Sequence, residues 1–319
     1  MRRALMVGID KYDNYPAASL RGCVNDARRI ANILSHHYDG SPNFSCQLLL
    51  SPPDSVTQVA LRRGIQLLFQ DDPEVALFYF SGHGTVNNLG GYLVTRDARS
   101  YDEGVGMTDV LTYANRSRAR EVVVIIDSCH SGAFGQLPAI NNETAILREG
   151  VSVLTASRES QAAEEIGGEG LFTSLVCDAL EGGAADIVGD ITAAAIYSYV
   201  DQALGPWDQR PIFKTNVTNF TSLRTVTPPI SLDVLRKIVD YFSAPEAEFA
   251  LDPSFEDTNT DIAKPENVAI FKNLQKFQGV NLVRPVGEEY MYYAAQNSKS
   301  CKLTALGYHY WRLVKDGRI

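Results

Sequence analysis

Five short apolar runs punctuate the first half of the chain: 3–9 (RALMVGI), 46–50 (CQLLL), 75–80 (VALFYF), 121–127 (EVVVIID) and 151–155 (VSVLT). Each is bounded by polar or glycine-containing residues. Continuous apolar character suits a strand buried on both faces, as in a parallel sheet covered by helices. The segments between them carry the helical period. In 23–35, Val24, Ala27, Ile30, Ala31 and Leu34 recur at steps of three and four, and Val56, Val59, Ala60, Ile65, Leu68 and Phe69 do so roughly in 56–69. Two more helices are predicted over 107–116 and 171–181. The alternation predicts an α/β layered domain, with a mostly parallel sheet, helices on both faces and right-handed crossovers.

The pattern changes at 225–231 (TVTPPIS), where a double proline closes the α/β region. This predicts one domain over 1–229 and a second, small α+β domain over 230–319. In the latter we expect a helix at 232–242, an acidic loop, a helix at 265–277, strands at 280–286 and 289–295, and a final helix at 303–314. That order resembles a winged helix. Residues 230–319 hold 11 Lys and Arg against 12 Asp and Glu, so nucleic acid is not the expected partner and a protein-contact or sensing role is favoured.

With 319 residues, 45% of them hydrophobic, the chain is long enough for one large core and a smaller second one. No apolar run approaches the roughly 20 residues needed to span a bilayer. The start MRRALMVGID lacks a small-residue cleavage site, so a cytoplasmic location without membrane contact is expected. Cys23, Cys46, Cys129, Cys177 and Cys301 are odd in number and show no CxxC spacing, which points to reduced thiols rather than disulfides or a zinc site. The net charge of −9 is compatible with basic partners.

Cys129 follows the run 121–127, and His83 follows 75–80 in the segment SGHG. Both fall at the carboxyl ends of strands, where open α/β sheets place their clefts. If those strands are neighbours, a thiol and an imidazole share one cleft. The imidazole can take the thiol proton and return it to a leaving amine. Gly84 and Cys129 can offer backbone N–H groups to a developing oxyanion, and His130 should point away from the thiol if the backbone is extended. A cysteine after a buried strand is also an ordinary small core residue, and a histidine between glycines an ordinary turn residue. The residues alone leave both readings open.

YFSGHG followed by IIDSCHSG resembles the caspase-fold peptidases, in particular the bacterial metacaspase-like branch. ALMVGIDKY, LRGCVNDA (20–27), LTASRESQAAEE (154–165) and GLFTSLVCDALEGGAAD (170–186) extend the resemblance in order over about 1–220. It implies that Cys129 is the nucleophile and His83 the general base and acid, with the N–H groups of Gly84 and Cys129 as the oxyanion hole. It further implies that Asp26 and Asp127 line the first substrate pocket, with Cys23 and Ser81 in its wall. Two carboxylates in one pocket call for a cation, so protein substrates cut after Arg or Lys are expected. Nothing resembles the QAC-x-G segment of caspases that cut after aspartate.

No cofactor is otherwise required, but the resemblance raises a calcium site in VTRDARSYDEGVGMTDV. That segment offers Asp97, Asp102, Glu103 and Asp109, with Asp97 and Asp109 as the candidate ligands. An adjacent aspartate pair is reduced here to Asp109, and Gln136 stands where a further carboxylate is expected. Arg148, between Cys129 and the next strand, is the candidate autocleavage position, whereas Arg158 falls in a segment expected to shape the cleft. Residues 230–319 would regulate or target the protease, by analogy in a bacterial stress or antiviral response. The alternatives are a dormant caspase-like scaffold that binds partners, and a DNA-binding regulator acting through 230–319.

Overall fold

The computed structural model describes residues 1–87, 90–100, 102–128, 146–156, 165–166, 169–204 and 211–319. The chain divides into two compact units, Met1–Ala185 with Asp190–Thr227, and Asp186–Gly189 with Pro228–Ile319.

In chain order the first unit runs β1 (Arg2–Ile9), α1 (Cys23–Ser35), β2 (Phe44–Ser51), α2 (Gln58–Leu68) and β3 (Val75–Ser81). A small antiparallel sheet follows, β4 (Gly84–Asn87), β5 (Gly90–Arg99) and β6 (Asp102–Gly106), then α3 (Met107–Arg116), β7 (Glu121–Asp127) and β8 (Val151–Thr155). The unit continues with the paired two-residue strands β9 (Glu165–Ile166) and β10 (Glu169–Gly170), α4 (Leu171–Asp178), β11 (Asp190–Ile191), α5 (Ala193–Leu204) and β12 (Ile212–Asn216). It ends with β13 (Arg224–Thr225), which pairs with β11.

Among the described residues the main sheet has the order β12-β8-β7-β3-β1-β2. Every pairing is parallel except that of the edge strand β12 with β8. Successive side chains of a strand face opposite ways, and β3 uses both faces fully. Phe78 and Phe80 pack with Leu61 and Ile65 of α2 and Val110 and Leu111 of α3, while Leu77 and Tyr79 pack with Ile30 and Leu34 of α1, Val176 of α4 and Ile196 of α5. Each such side chain contributes about 1.5–3 kcal/mol by leaving water, which makes β3 the spine of the domain.

β3 lies between β1 and β7, so the strands preceding His83 and Cys129 are neighbours. The register places Gly8, Ser81 and Asp127 in one row across the carboxyl edge. Gly8 matters because α1 begins directly above it: a Cβ there would lie 2.3 Å from the Cys23 carbonyl oxygen.

The second unit contains α6 (Leu232–Arg236), α7 (Ile238–Tyr241), β14 (Glu248–Ala250), α8 (Pro265–Gly279), β15 (Val283–Val286), α9 (Met291–Gln296), β16 (Ser300–Leu303) and α10 (Ala305–Lys315). Its antiparallel sheet has the order β14-β16-β15, over a core that includes Leu235, Phe242, Phe271, Leu274, Phe277 and Met291. The strand expected at 289–295 is instead largely the helix α9. Met291, Ala294 and Ala295 are buried at helical spacing while Tyr292 and Tyr293 are exposed, and the tyrosines had suggested a strand. The partner of β15 is β16, further along the chain. The helix expected over 232–242 is two short helices meeting at Lys237.

Replacing Gly8 by Ala forces a Cβ into the start of α1. Thermal unfolding should show a loss of about 3 kcal/mol, at the upper end for overpacking because the obstacle is backbone; an unchanged Tm would mean that α1 does not sit this close to β1.

Candidate active site

The row Gly8, Ser81 and Asp127 is the floor of the site, and α1 is its wall. Asp10, just after β1, accepts the backbone N–H of Cys23 at 2.9 Å, an anion set against the first turn of α1 where the helix dipole favours it. Asp26, one turn into α1, is buried at 3% exposure. Ser81 Oγ donates to Asp26 Oδ2 at 3.3 Å and also hydrogen-bonds the Cys23 thiol. Burial pushes the Cys23 thiol well above the usual range, and Asp10, Asp127 and Asp26 push it further up. This thiol stays protonated.

The second carboxylate, Asp127, ends β7. Its Oδ2 accepts the Thr173 hydroxyl at 2.6 Å, and Thr173 Oγ1 lies 2.6 Å from the Tyr79 hydroxyl. Gly170, immediately before α4, donates its N–H to Asp26 Oδ1 at 3.4 Å. A Cβ on Gly170 would stand 2.9 Å from Asp127 Oδ2 and 3.3 Å from Asp26 Oδ2. Both carboxylates therefore crowd the Cα of Gly170, where a methyl group would clash, and Cys23, Asp26, Ser81 and Asp127 are gathered at one place. Such a pair is stable when donors and a cation answer it.

His83 is half-buried just beyond β3. Its ring Nε2 lies 2.7 Å from the carbonyl oxygen of Ala18. A carbonyl can only accept, so Nε2 carries the hydrogen and the neutral ring keeps Nδ1 as its basic atom. Tyr12 holds the residue from below. Its hydroxyl accepts the His83 N–H at 2.8 Å and donates to the Ile9 carbonyl at 3.1 Å, and the two rings pack with centroids 4.9 Å apart. Residue reasoning missed Tyr12, although it closes the segment ALMVGIDKY. Gly84 lies opposite Leu93, next to the position where Val94 N–H donates to His83 O. Alternation along an antiparallel ladder then directs the Gly84 N–H away from β5.

Cys129, His130, Gln136 and Arg158 lie outside the described residues. Two other candidate positions lie within the described residues. Arg148 has a structural job: its guanidinium donates to the carbonyls of Ala114 (3.3 Å), Ala119 (2.8 Å) and Glu149, and its N–H to Asn115 Oδ1 (3.0 Å). This arginine ties the end of α3 to the approach of β8.

The segment around the acids Asp97, Asp102 and Glu103 forms the antiparallel pair β5 and β6. Asp97 accepts the Gln58 N–H at 3.0 Å and the Thr95 hydroxyl at 2.7 Å, at the start of α2, and Asp109 pairs with Arg62 at 3.0 Å. In this structure the oxygens of Asp97 serve a helix end and those of Asp109 an ion pair. Among the described residues no group of three or more His, Cys, Asp or Glu is placed to hold a metal.

A parallel sheet with a histidine after one central strand, a cysteine-bearing segment after its neighbour and a pair of converging carboxylates fits a class of thiol hydrolases. The chain belongs to the caspase domain family, whose model matches residues 1–221. Metacaspase-1 of Kluyveromyces lactis is 29% identical over 173 residues, spanning 46% of this chain and 37% of that protein. Metacaspase-4 of Arabidopsis thaliana is 32% identical over 150 residues, spanning 42% of this chain and 34% of that one. The chain thus matches little more than a third of the length of these relatives.

Among solved structures, caspase-1 from Spodoptera frugiperda superposes with a TM-score of 0.53 at 12% identity, over 71% of this chain and 91% of that one. A protein from Geobacter sulfurreducens superposes with a TM-score of 0.51 at 15% identity, over 71% and 100%. Both share the fold. No helix among the described residues is long and apolar enough to cross a membrane.

Two outcomes follow from this geometry. Intact-mass measurement of the purified protein should show no cleavage after Arg148, and Arg148→Ala should lower stability by about 2 kcal/mol by leaving carbonyls unanswered; a fragment ending at Arg148 would contradict this. Tyr12→Phe removes the acceptor for the His83 N–H and should cost about 1–3 kcal/mol in chemical denaturation, against no change if that contact is incidental.

Proposed function

We propose that the protein is a cysteine endopeptidase that cuts protein substrates after Arg or Lys, with Cys129 as nucleophile and His83 as general base and acid. The observation that supports the specificity is that the Asp26 and Asp127 carboxylates come together at Gly170. A cation is the natural partner of two neighbouring carboxylates, and a guanidinium or ammonium group at the end of a long side chain can supply it from a bound peptide.

The described cysteines support Cys129 by their own unsuitability. Burial raises the thiols of Cys23 and Cys46 and pushes that of Cys301 up to about 12, while Cys177 has no exposure at all. A nucleophile needs the thiolate and access. Cys129, placed in sequence directly after Ser128 at the edge beside His83's strand, is the remaining thiol.

In the proposed reaction His83 Nδ1 takes the Cys129 proton as sulfur attacks the carbonyl carbon, and the C–O electron pair moves onto oxygen. The N–H groups of Gly84 and Cys129 receive that oxyanion. As the carbonyl reforms, the C–N bond breaks and His83 returns the proton to the leaving amine. Water, deprotonated by the same imidazole, then releases the acyl group from sulfur.

Pro228–Ile319 has a core of its own around Phe242, Phe271 and Phe277. We read it as a winged-helix-like module that binds a regulatory protein or ligand and governs the peptidase, in a bacterial stress or antiviral setting. Its balanced charge predicts elution from heparin at low salt.

Fluorogenic peptides differing only at the cleaved residue test the enzyme directly. Those ending in Arg or Lys should be hydrolysed and that ending in Asp should not. Cys129→Ala should abolish turnover by at least about 10⁴-fold. Asp127→Asn should lower kcat/KM for the Arg peptide by about 30-fold or more, the cost of unpairing a desolvated charge. Preferred cleavage after Asp would overturn the pocket assignment.

A further inference from the structure

We propose that Thr173, backed by Tyr79, is a positioning residue that fixes the Asp127 carboxylate for recognition of the basic substrate side chain; this rests on the pocket described under the proposed function. The direction of each hydrogen bond in the chain is set by chemistry. An ionised carboxylate only accepts, so Thr173 spends its one proton on Asp127 Oδ2. The Thr173 oxygen must then accept at its 2.6 Å contact with Tyr79, making the tyrosine hydroxyl the donor. Tyr79 keeps that proton: burial raises its phenol well above the ordinary value, and Asp127 and Asp26 raise it further.

Both hydroxyls are out of solvent, with Thr173 at 1% exposure and Tyr79 at 0%. A short bond to a charged acceptor in such surroundings is among the stronger ones, and here it restrains rotation of the carboxylate. The first turn of α4 thus serves both acids, since the Gly170 N–H holds Asp26 and the Thr173 hydroxyl holds Asp127. The absence of a side chain on Gly170 lets its backbone approach both carboxylates, which a Cβ would crowd. The described groups facing Asp127 include Cys23 and Asp26 from α1, Tyr79 and Ser81 from β3, and Gly170 and Thr173 at the start of α4, with Asp10 beside Cys23.

The test is steady-state kinetics of the full chain on an Arg peptide across pH, with thermal unfolding in parallel. Thr173→Val keeps the shape and removes the hydroxyl. It should raise KM about tenfold with kcat nearly unchanged, the loss expected for a hydrogen bond to a charged group. Loss of a donor to the ionised form raises the Asp127 pKa, so the acid limb of kcat/KM should move to higher pH. Thr173→Ser, which restores the hydroxyl, should restore both KM and the limb. Should Thr173→Val fail to fold, Tyr79→Phe carries the test, with a smaller shift in the same direction. Wild-type KM and an unmoved acid limb in the folded variant would overturn the proposal, as would a raised KM that Ser does not rescue. Undiminished Arg cleavage by Asp127→Asn would instead overturn the pocket itself.

Discussion

The approach of α1 to the edge of β1 is the contact on which the rest of the site depends. Gly8 has no side chain, so the first turn of the helix descends until the Cys23 carbonyl lies where a Cβ would be. That descent puts Cys23 and Asp26 against Ser81 of the neighbouring strand, and Ser81 is in register with Asp127 of the next. Three parallel strands and one helix thereby bring together residues separated by about a hundred positions in sequence. Strongly apolar strands make the platform rigid, and a single missing methyl group determines what stands on it.

Placing acids there is costly, and the fold answers the cost with fixed donors. Asp10 receives the N–H of Cys23, Asp26 receives Ser81 and Gly170, and Asp127 receives Thr173. Asp10 and Asp26 also stand at the start of α1, where the helix dipole favours negative charge. The same surroundings hold the Cys23 thiol protonated. The thiol among the acids is thereby suppressed as a nucleophile.

Much of the first unit was legible because strands buried on both faces are unbroken apolar runs, and the helices over Cys23–Ser35 and Met107–Arg116 keep a clean period. What escaped has a physical reason. β12 (IFKTN) is a half-exposed edge strand with few apolar residues, and β5–β6 is glycine-rich and acidic, so it looked like a loop. In 291–296 the tyrosines spoke for a strand while the buried positions Met291, Ala294 and Ala295 obeyed a helix. Within the site, His83 was legible from its place just after a buried strand, since a histidine between glycines alone reads as a turn residue. Asp26 and Asp127 were nominated only by the resemblance, since alone they look like a solvated helix residue and a strand end. Tyr12, Gly170 and Thr173 carried no local signal, because their roles exist only through contacts with distant segments.

The central claim is that Asp26 and Asp127 form one pocket for a basic side chain, and binding tests it without any need for turnover. Calorimetric titration of full-length Cys129→Ala with matched peptides ending in arginine or aspartate isolates recognition from chemistry. Saturable binding of the arginine peptide alone, lost when Asp26→Asn and Asp127→Asn are added, is the result this structure predicts. Equal affinity for both peptides, or arginine binding that survives the double substitution, would contradict it.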